Sequence, residues 1–103
     1  MSPWHAVVLP EEPAEGALVG ARVAGQPLVL VRTEGRWFAL SDECTHAGCA
    51  ISEDGELVGG ALICNCHGAE FAVETGAVLE GPADGPLETY PVRVVEGVVE
   101  VNV

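Results

Sequence analysis

The chain has 103 residues, with 16 acidic and 4 basic side chains and a formal charge of −12. This length predicts one domain over residues 1–103, with a single modest core. The charge argues against binding to nucleic acid or to an anionic membrane surface, since both attract cations. It favours protein partners that dock through a basic face. No apolar run approaches the ~18 residues of a membrane span, and the N-terminus lacks the pattern of a secretory signal, so a cytoplasmic location is expected.

Short β-rich runs follow one another along the chain, separated by turn signals. Strands are predicted, in order, at Trp4–Leu9, Ala17–Val23, Leu28–Thr33, Arg36–Leu40, Leu57–Val58, Ala61–Ile63, Glu70–Val73, Ala77–Leu79, Leu87–Val95 and Val98–Val103. Residues 24–27 are predicted to form a turn, and Glu34-Gly35, Glu74-Thr75-Gly76 and Glu96-Gly97 to link hairpins. Pro91 would confine its strand to a sheet edge or mark a bulge. Because no long amphipathic helical stretch is present, the pattern predicts an all-β sandwich or barrel.

All four cysteines and two of the three histidines lie between residues 44 and 67. The first group consists of Cys44, His46 and Cys49, and the second of Cys64, Cys66 and His67. Cysteines that staple a small scaffold usually join distant parts of the chain, whereas these four lie within 23 residues. Thiolates and imidazoles this close together indicate a metal site instead.

The spacing within each group is compatible with metal binding. Cys44 and His46 would leave the same face of an extended backbone, and the step from Cys64 to His67 suits a turn. Two thiolates and two imidazoles suit either tetrahedral zinc or an iron–sulfur centre in which histidine replaces cysteine on one iron. Six candidate residues exceed the four ligands of a lone zinc, and a leftover cysteine pair, one per loop, could join the loops covalently. The residues alone leave both kinds of metal site open.

The order Cys-x-His-x2-Cys, followed fifteen positions later by Cys-x-Cys-His-Gly, resembles the Rieske iron–sulfur proteins. The resemblance covers both groups of candidate ligands. It implies the Rieske fold, an antiparallel β-sandwich or barrel base from residues 1–43 and 72–103 with a small cluster-binding subdomain. The cluster-binding loops would be residues 44–49 and 64–68. Residues 81–86, which are too rich in Gly and Pro for regular structure, would match the family's proline-containing loop over the cluster.

The resemblance also implies the ligands and the function. Cys44 and Cys64 would bind one iron of a single [2Fe-2S] cluster, and His46 and His67 would bind the other. The chain would then be a soluble Rieske ferredoxin, a monomeric one-electron carrier rather than an enzyme, without catalytic residues of its own. Its expected partners are a flavin-dependent reductase as electron donor and a terminal oxygenase as electron acceptor.

Features of a second Rieske type are mixed into the chain. Cys49 and Cys66 match the pair that forms a loop-joining disulfide in respiratory Rieske subunits, which many soluble ferredoxins lack. At Ala69 and Phe71 the respiratory type instead has Ser and Tyr, which donate hydrogen bonds to sulfur. The absence of these two hydrogen-bond donors predicts a reduction potential in the lower half of the Rieske range, which spans roughly −150 to +300 mV.

Two alternative functions are a domain or small subunit of a larger respiratory or reductase complex, and a structural zinc-binding interaction module.

Overall fold

The computed structural model describes residues 4–9, 14–43, 49–66, 68–81 and 85–103. Within these ranges the elements are β1 (Trp4–Val7), β2 (Leu18–Val23), β3 (Gln26–Thr33), β4 (Arg36–Ser41), α1 (Ile51–Asp54), β5 (Gly55–Val58), β6 (Ala61–Cys64), β7 (Ala69–Ala72), β8 (Val78–Glu80), β9 (Thr89–Tyr90), β10 (Val92–Val95) and β11 (Val98–Asn102). The eleven strands of the described residues form three antiparallel sheets, which confirms the predicted all-β class.

We name the sheets by position: the outer sheet is β1-β11-β10, the middle sheet is β2-β3-β4-β9 and the loop-side sheet is β5-β6-β7-β8. The middle sheet is buried on both faces, and four successive residues of β3, Leu28 to Val31, have no exposed surface. Leu28 and Leu30 pack in one core with Val101 of the outer sheet. The alternate residues of β3 pack in a second core with Leu62 and Phe71 of the loop-side sheet. Each of these buried side chains stabilises the fold by about 1.5–3 kcal/mol.

Two-residue turns join several neighbouring strands. Glu34 and Gly35 both have positive φ, of 53° and 74°, which fits the type I′ turns typical of tight hairpins. Ala24 and Gly25 turn in the same way, so β3 begins at Gln26 and the predicted turn over residues 24–27 is too long. Pro27 is therefore a strand residue, and its carbonyl oxygen accepts a hydrogen bond of 3.0 Å from the Asp42 N–H.

The predicted strand Leu87–Val95 is wrong as a single element, because the chain changes sheets at Pro91. β9 pairs with β4 in the middle sheet, whereas β10 pairs with β11 in the outer sheet. Pro91 has no N–H to continue a ladder. Its carbonyl oxygen accepts a hydrogen bond of 3.0 Å from the Asn102 N–H, which fixes the start of the new pairing.

The loop-side sheet ends in the hairpin that was predicted around Glu74-Thr75-Gly76, because β8 pairs with β7. The boundary of the base at residue 72 stays a prediction. After β8, the Leu87 N–H donates to the Gly76 carbonyl oxygen at 2.8 Å. Gly76 has a φ of +76°, and a Cβ there would overlap the Leu87 carbonyl oxygen, so only glycine fits this approach.

The proline-containing loop predicted over residues 81–86 is described only in part. Gly81 and Gly85 lie outside helices and strands, and residues 82–84 fall outside the described residues.

The helical turn α1 was not predicted, because four residues are too few to show a helical period. No helix in the described ranges is long and apolar enough to cross a membrane.

Candidate metal centre

The second predicted ligand loop lies between β6 and β7. Cys64 ends β6 and pairs directly with Ala69, the first residue of β7. The Gly68 N–H donates to the Cys64 carbonyl oxygen at 2.8 Å and closes the turn. Cys64 has no exposed surface, so its sulfur is shielded by the core. His67, the other predicted ligand in this loop, lies outside the described residues.

The first predicted ligand loop leaves the end of β4 and leads into α1. Residues 44–48, which include Cys44 and His46, lie outside the described residues. The two ends of the loop are described, and a carboxylate joins them. The Ser52 N–H donates to Asp42 Oδ1 at 2.6 Å, and the Ser52 hydroxyl donates to Asp42 Oδ2 at 2.5 Å. Asp42 is only 9% exposed, so this pair fixes the base of the loop inside the protein.

A disulfide between Cys49 and Cys66 joins the two loops, with their Cα atoms 6.5 Å apart. This confirms the disulfide that the Rieske resemblance implied. A backbone hydrogen bond of 3.0 Å from the Asn65 N–H to the Asp54 carbonyl oxygen also connects the second loop to the end of α1. The structure thus brings together the two parts of the sequence that carry the candidate ligands.

A sequence profile of the Rieske [2Fe-2S] domain matches residues 3–91, which include both loops. The chain belongs to the Rieske family. The anthranilate 1,2-dioxygenase ferredoxin subunit of Burkholderia cepacia is 36% identical over 104 aligned residues, covering 100% of this chain and 94% of that subunit. The match therefore extends along nearly the whole length of both chains.

Solved structures of Rieske ferredoxins have the same fold. The ferredoxin of carbazole 1,9a-dioxygenase from Nocardioides aromaticivorans IC177 superposes with a TM-score of 0.89, at 25% identity, covering 97% of each chain. A chain in a complex of reduced oxygenase and oxidized ferredoxin of carbazole 1,9a-dioxygenase superposes with a TM-score of 0.86 at 34% identity. That match covers 97% of this chain and 93% of the other. The arrangement of three sheets is therefore shared along nearly the whole chain.

The cofactor of the Rieske family is a [2Fe-2S] cluster, and the described residues fit it. Cys64 offers a thiolate at the end of a rigid strand, with no surface exposed to solvent. The Cys49–Cys66 disulfide sets the first loop beside the second, as ligands drawn from both loops would require. Thiolate and imidazole donors in equal number suit a Rieske cluster. The individual assignments of Cys44, His46, Cys64 and His67 remain predictions.

The potential of such a site would depend on hydrogen bonds to its sulfurs, and the structure locates the two residues that depart from the respiratory pattern. Ala69 lies directly opposite Cys64, so their side chains point to the same face of the sheet. Phe71 lies two residues further along the same face and is fully buried between its partners Leu62 and Val78. Neither side chain has a hydroxyl, so neither can donate a hydrogen bond to sulfur.

Charge is distributed unevenly around this site. Residues 37–92 contain ten of the 16 acidic residues and none of the four arginines. Strand register places Glu56, Ile63, Glu70 and Glu80 in one row across the outward face of the loop-side sheet. Glu70 and Glu80 are direct cross-strand neighbours, an arrangement that repulsion between like charges disfavours. The face beside the second loop is therefore strongly acidic.

Sequence reasoning missed two features of the site. The acidic row could have been anticipated from a count of charges by segment, because the arginines stop at residue 36 and resume at residue 93. The Asp42–Ser52 pair had no such signal, because it depends on how β4 and α1 approach each other. Asp and Ser near a loop are ordinarily read as surface turn residues.

Proposed function

We propose that this protein is a one-electron carrier that holds one Rieske [2Fe-2S] cluster, with Cys44 and Cys64 on one iron and His46 and His67 on the other. The observation that supports this most directly is the Cys49–Cys66 disulfide, which joins the two segments containing all four proposed ligands. The cluster, when bound, supplies reversible one-electron redox chemistry, and the protein supplies ligands, shielding and a docking surface. Like the ferredoxin components to which it is related, the chain is an electron carrier rather than a catalytic enzyme.

The chain's own residues would hold the site steady while its charge changes. Burial of Cys64 keeps water from its sulfur, and the Gly68 hydrogen bond fixes the strand end that carries it. The disulfide would limit how far the two loops separate. A site that moves little between its two redox states exchanges electrons faster, because less of the surroundings must reorganise.

We propose an aromatic-ring dioxygenase system as the setting, with a flavin-dependent reductase as donor and a terminal oxygenase as acceptor. The support is similarity to ferredoxin components of anthranilate and naphthalene dioxygenase systems, and to a chain in a complex of oxygenase and ferredoxin. The acidic row beside the second loop favours a partner with a basic docking face, because complementary charge speeds encounter. A cytoplasmic location remains part of this proposal, which cell fractionation would test.

The test is electron delivery by the purified protein. Its reduced form should show an electron paramagnetic resonance signal with the low average g value of a Rieske cluster. After stopped-flow mixing with the oxygenase component of an anthranilate or naphthalene dioxygenase system, its absorption should return to that of the oxidised form. The rate should fall roughly tenfold on raising the salt concentration, if opposite charges steer the encounter. A colourless protein containing one zinc would contradict the proposal.

A further inference from the structure

Asp42 stands out as the buried charged side chain of the described residues, at 9% exposure. A buried carboxylate is costly unless hydrogen bonds replace its hydration. Here each oxygen of the carboxylate accepts one hydrogen bond, and both donors belong to Ser52. Residues 42 and 52 flank the first loop, so one side chain closes the loop at its base.

The same carboxylate also completes α1. The helix begins after Ala50, whose side chain makes no capping hydrogen bond. The first N–H groups of a helix have no partner within it, and a side chain such as Ser or Asp usually supplies one. Asp42 supplies that acceptor to Ser52 from ten positions earlier in the chain. The start of α1 is thereby attached to the end of β4.

Gly20 shows how tightly the pair is held against the middle sheet. A Cβ at Gly20 would lie 2.6 Å from Ser52 Oγ and 3.3 Å from Asp42 Oδ2. Glycine inside a strand weakens the strand, and close approach of other atoms is a usual reason for its presence. The Asp42 N–H also donates to Pro27 at 3.0 Å. The base of the loop is therefore packed against β2 and hydrogen-bonded to β3.

We propose that Asp42 is a positioning residue for the metal centre: through Ser52 it closes the first ligand loop on the middle sheet and so holds Cys44 and His46 in place. This inference rests on the ligand set given under the proposed function. The disulfide holds the other side of the same loop, at Cys49, to the second loop. The loop thus has two restraints, and each can hold it when the other is lost, so losing both should cost more than the two single losses together.

The experiment measures how long the cluster survives in the intact, cluster-loaded protein. Ser52→Ala, Cys66→Ser and the double variant are compared with wild type by the decay of visible absorption in denaturant too dilute to unfold the chain. Ser52→Ala should shorten the half-life roughly tenfold, because a hydrogen bond to a charged group is lost. The double variant should lose its cluster faster than the product of the two single effects.

Two further variants separate positioning from general stability. Asp42→Asn keeps the shape and one acceptor oxygen, so it should retain most of the half-life that Asp42→Ala loses. Tyr90→Phe removes another bond from a hydroxyl to a carboxylate, that of Glu88 at 2.8 Å, which joins residues two apart in the chain and does not bridge the first loop. It should lower the free energy of unfolding slightly and leave cluster survival unchanged.

The spectrum of the reduced cluster gives a readout that a merely structural role would not move. Ser52→Ala should broaden the electron paramagnetic resonance lines, because loosely held ligands sample a wider range of geometries, and Tyr90→Phe should not. Gly20→Ala, which would displace Ser52 Oγ, should act like Ser52→Ala, and combining the two should add little. Equal half-lives and line widths for Ser52→Ala and Tyr90→Phe would overturn the inference. A wild type without a Rieske signal would instead overturn the proposed function.

Discussion

The middle sheet is buried on both faces, whereas the loop-side sheet is buried on one face and carries a row of carboxylates on the other. Strand β3 of the middle sheet contributes four successive side chains without exposed surface. On the loop side, strands β6 and β7 are only four residues long, and two predicted ligands lie at the end of β6 and in the loop that follows it. We infer from this difference that the middle sheet mainly provides stability, and that the loop-side sheet mainly carries the second proposed ligand loop.

The largest expected effect comes from the ligands on the loop side. Cys64→Ser should abolish the cluster, because it leaves one iron a ligand short. Cys66→Ser should leave a cluster that forms but is lost sooner, because only the restraint between the loops is removed. Iron content and the absorption spectrum of the purified variants measure both outcomes. If Cys66→Ser abolished incorporation while Cys64→Ser did not, the assignment of ligand and disulfide would be wrong.

Large-to-small substitutions in the two cores test the division of tasks directly. Leu30→Ala, facing the outer sheet, should lower the free energy of unfolding by roughly 2–5 kcal/mol and leave the reduction potential unchanged. Phe71→Ala should cost roughly 3–5 kcal/mol and also shift the potential, because Phe71 lies near Cys64 on the same face. Denaturant titration and voltammetry give the two quantities. A shifted potential in Leu30→Ala would show that the two regions are not independent.

Restoring the missing hydroxyl groups should change the potential without large loss of stability. Hydrogen bonds to sulfur favour the reduced, more negative cluster, so Ala69→Ser and Phe71→Tyr should each raise the potential by several tens of millivolts. A one-electron shift of about 59 mV corresponds to a tenfold change in equilibrium. Ala72→Ser is the matched control, because residue 72 is on the same strand but points to the opposite face. An upward shift as large in the control as in Ala69→Ser would refute the explanation.

The smallest expected effect concerns a carboxylate at the β3–β4 turn. The Glu34 N–H donates to both carboxylate oxygens of Glu15, at 3.0 and 2.8 Å, and lowers the pKa of Glu15 below its ordinary value. The Thr33 side chain lowers this pKa further through a hydrogen bond. A lowered folded-state pKa contributes stability above the unfolded-state pKa and loses it as the pH falls through the folded-state pKa.

Glu15→Gln should therefore be slightly less stable than wild type at neutral pH, and the two should converge in acid. Denaturant titrations at several pH values measure the difference, which should be small because this side chain is exposed. The reduction potential should not change, because Glu15 belongs to a turn at the far end of β3 and β4 from the ligand loops. A difference in stability that persists at low pH would rule out the carboxylate as its source.

Local sequence determined much of this protein. The hairpins around Glu34-Gly35 and Glu96-Gly97 follow from residues adjacent in the chain, because a two-residue turn with positive φ needs no distant contact. The grouping of cysteines and histidines likewise identified the Rieske family, since ligand type and spacing are written in the chain. The all-β class followed from short runs between turn signals.

Tertiary structure alone decided which strands that are distant in the chain became neighbours. The sequence shows alternation along a strand but not the partner beside it, so it could not divide Leu87–Val95 between two sheets. The Asp42–Ser52 bond and the close approach of Ser52 to Gly20 arise for the same reason. They depend on the approach of β4, α1 and β2, whose contacts join residues far apart in the chain and are set by packing of the whole fold.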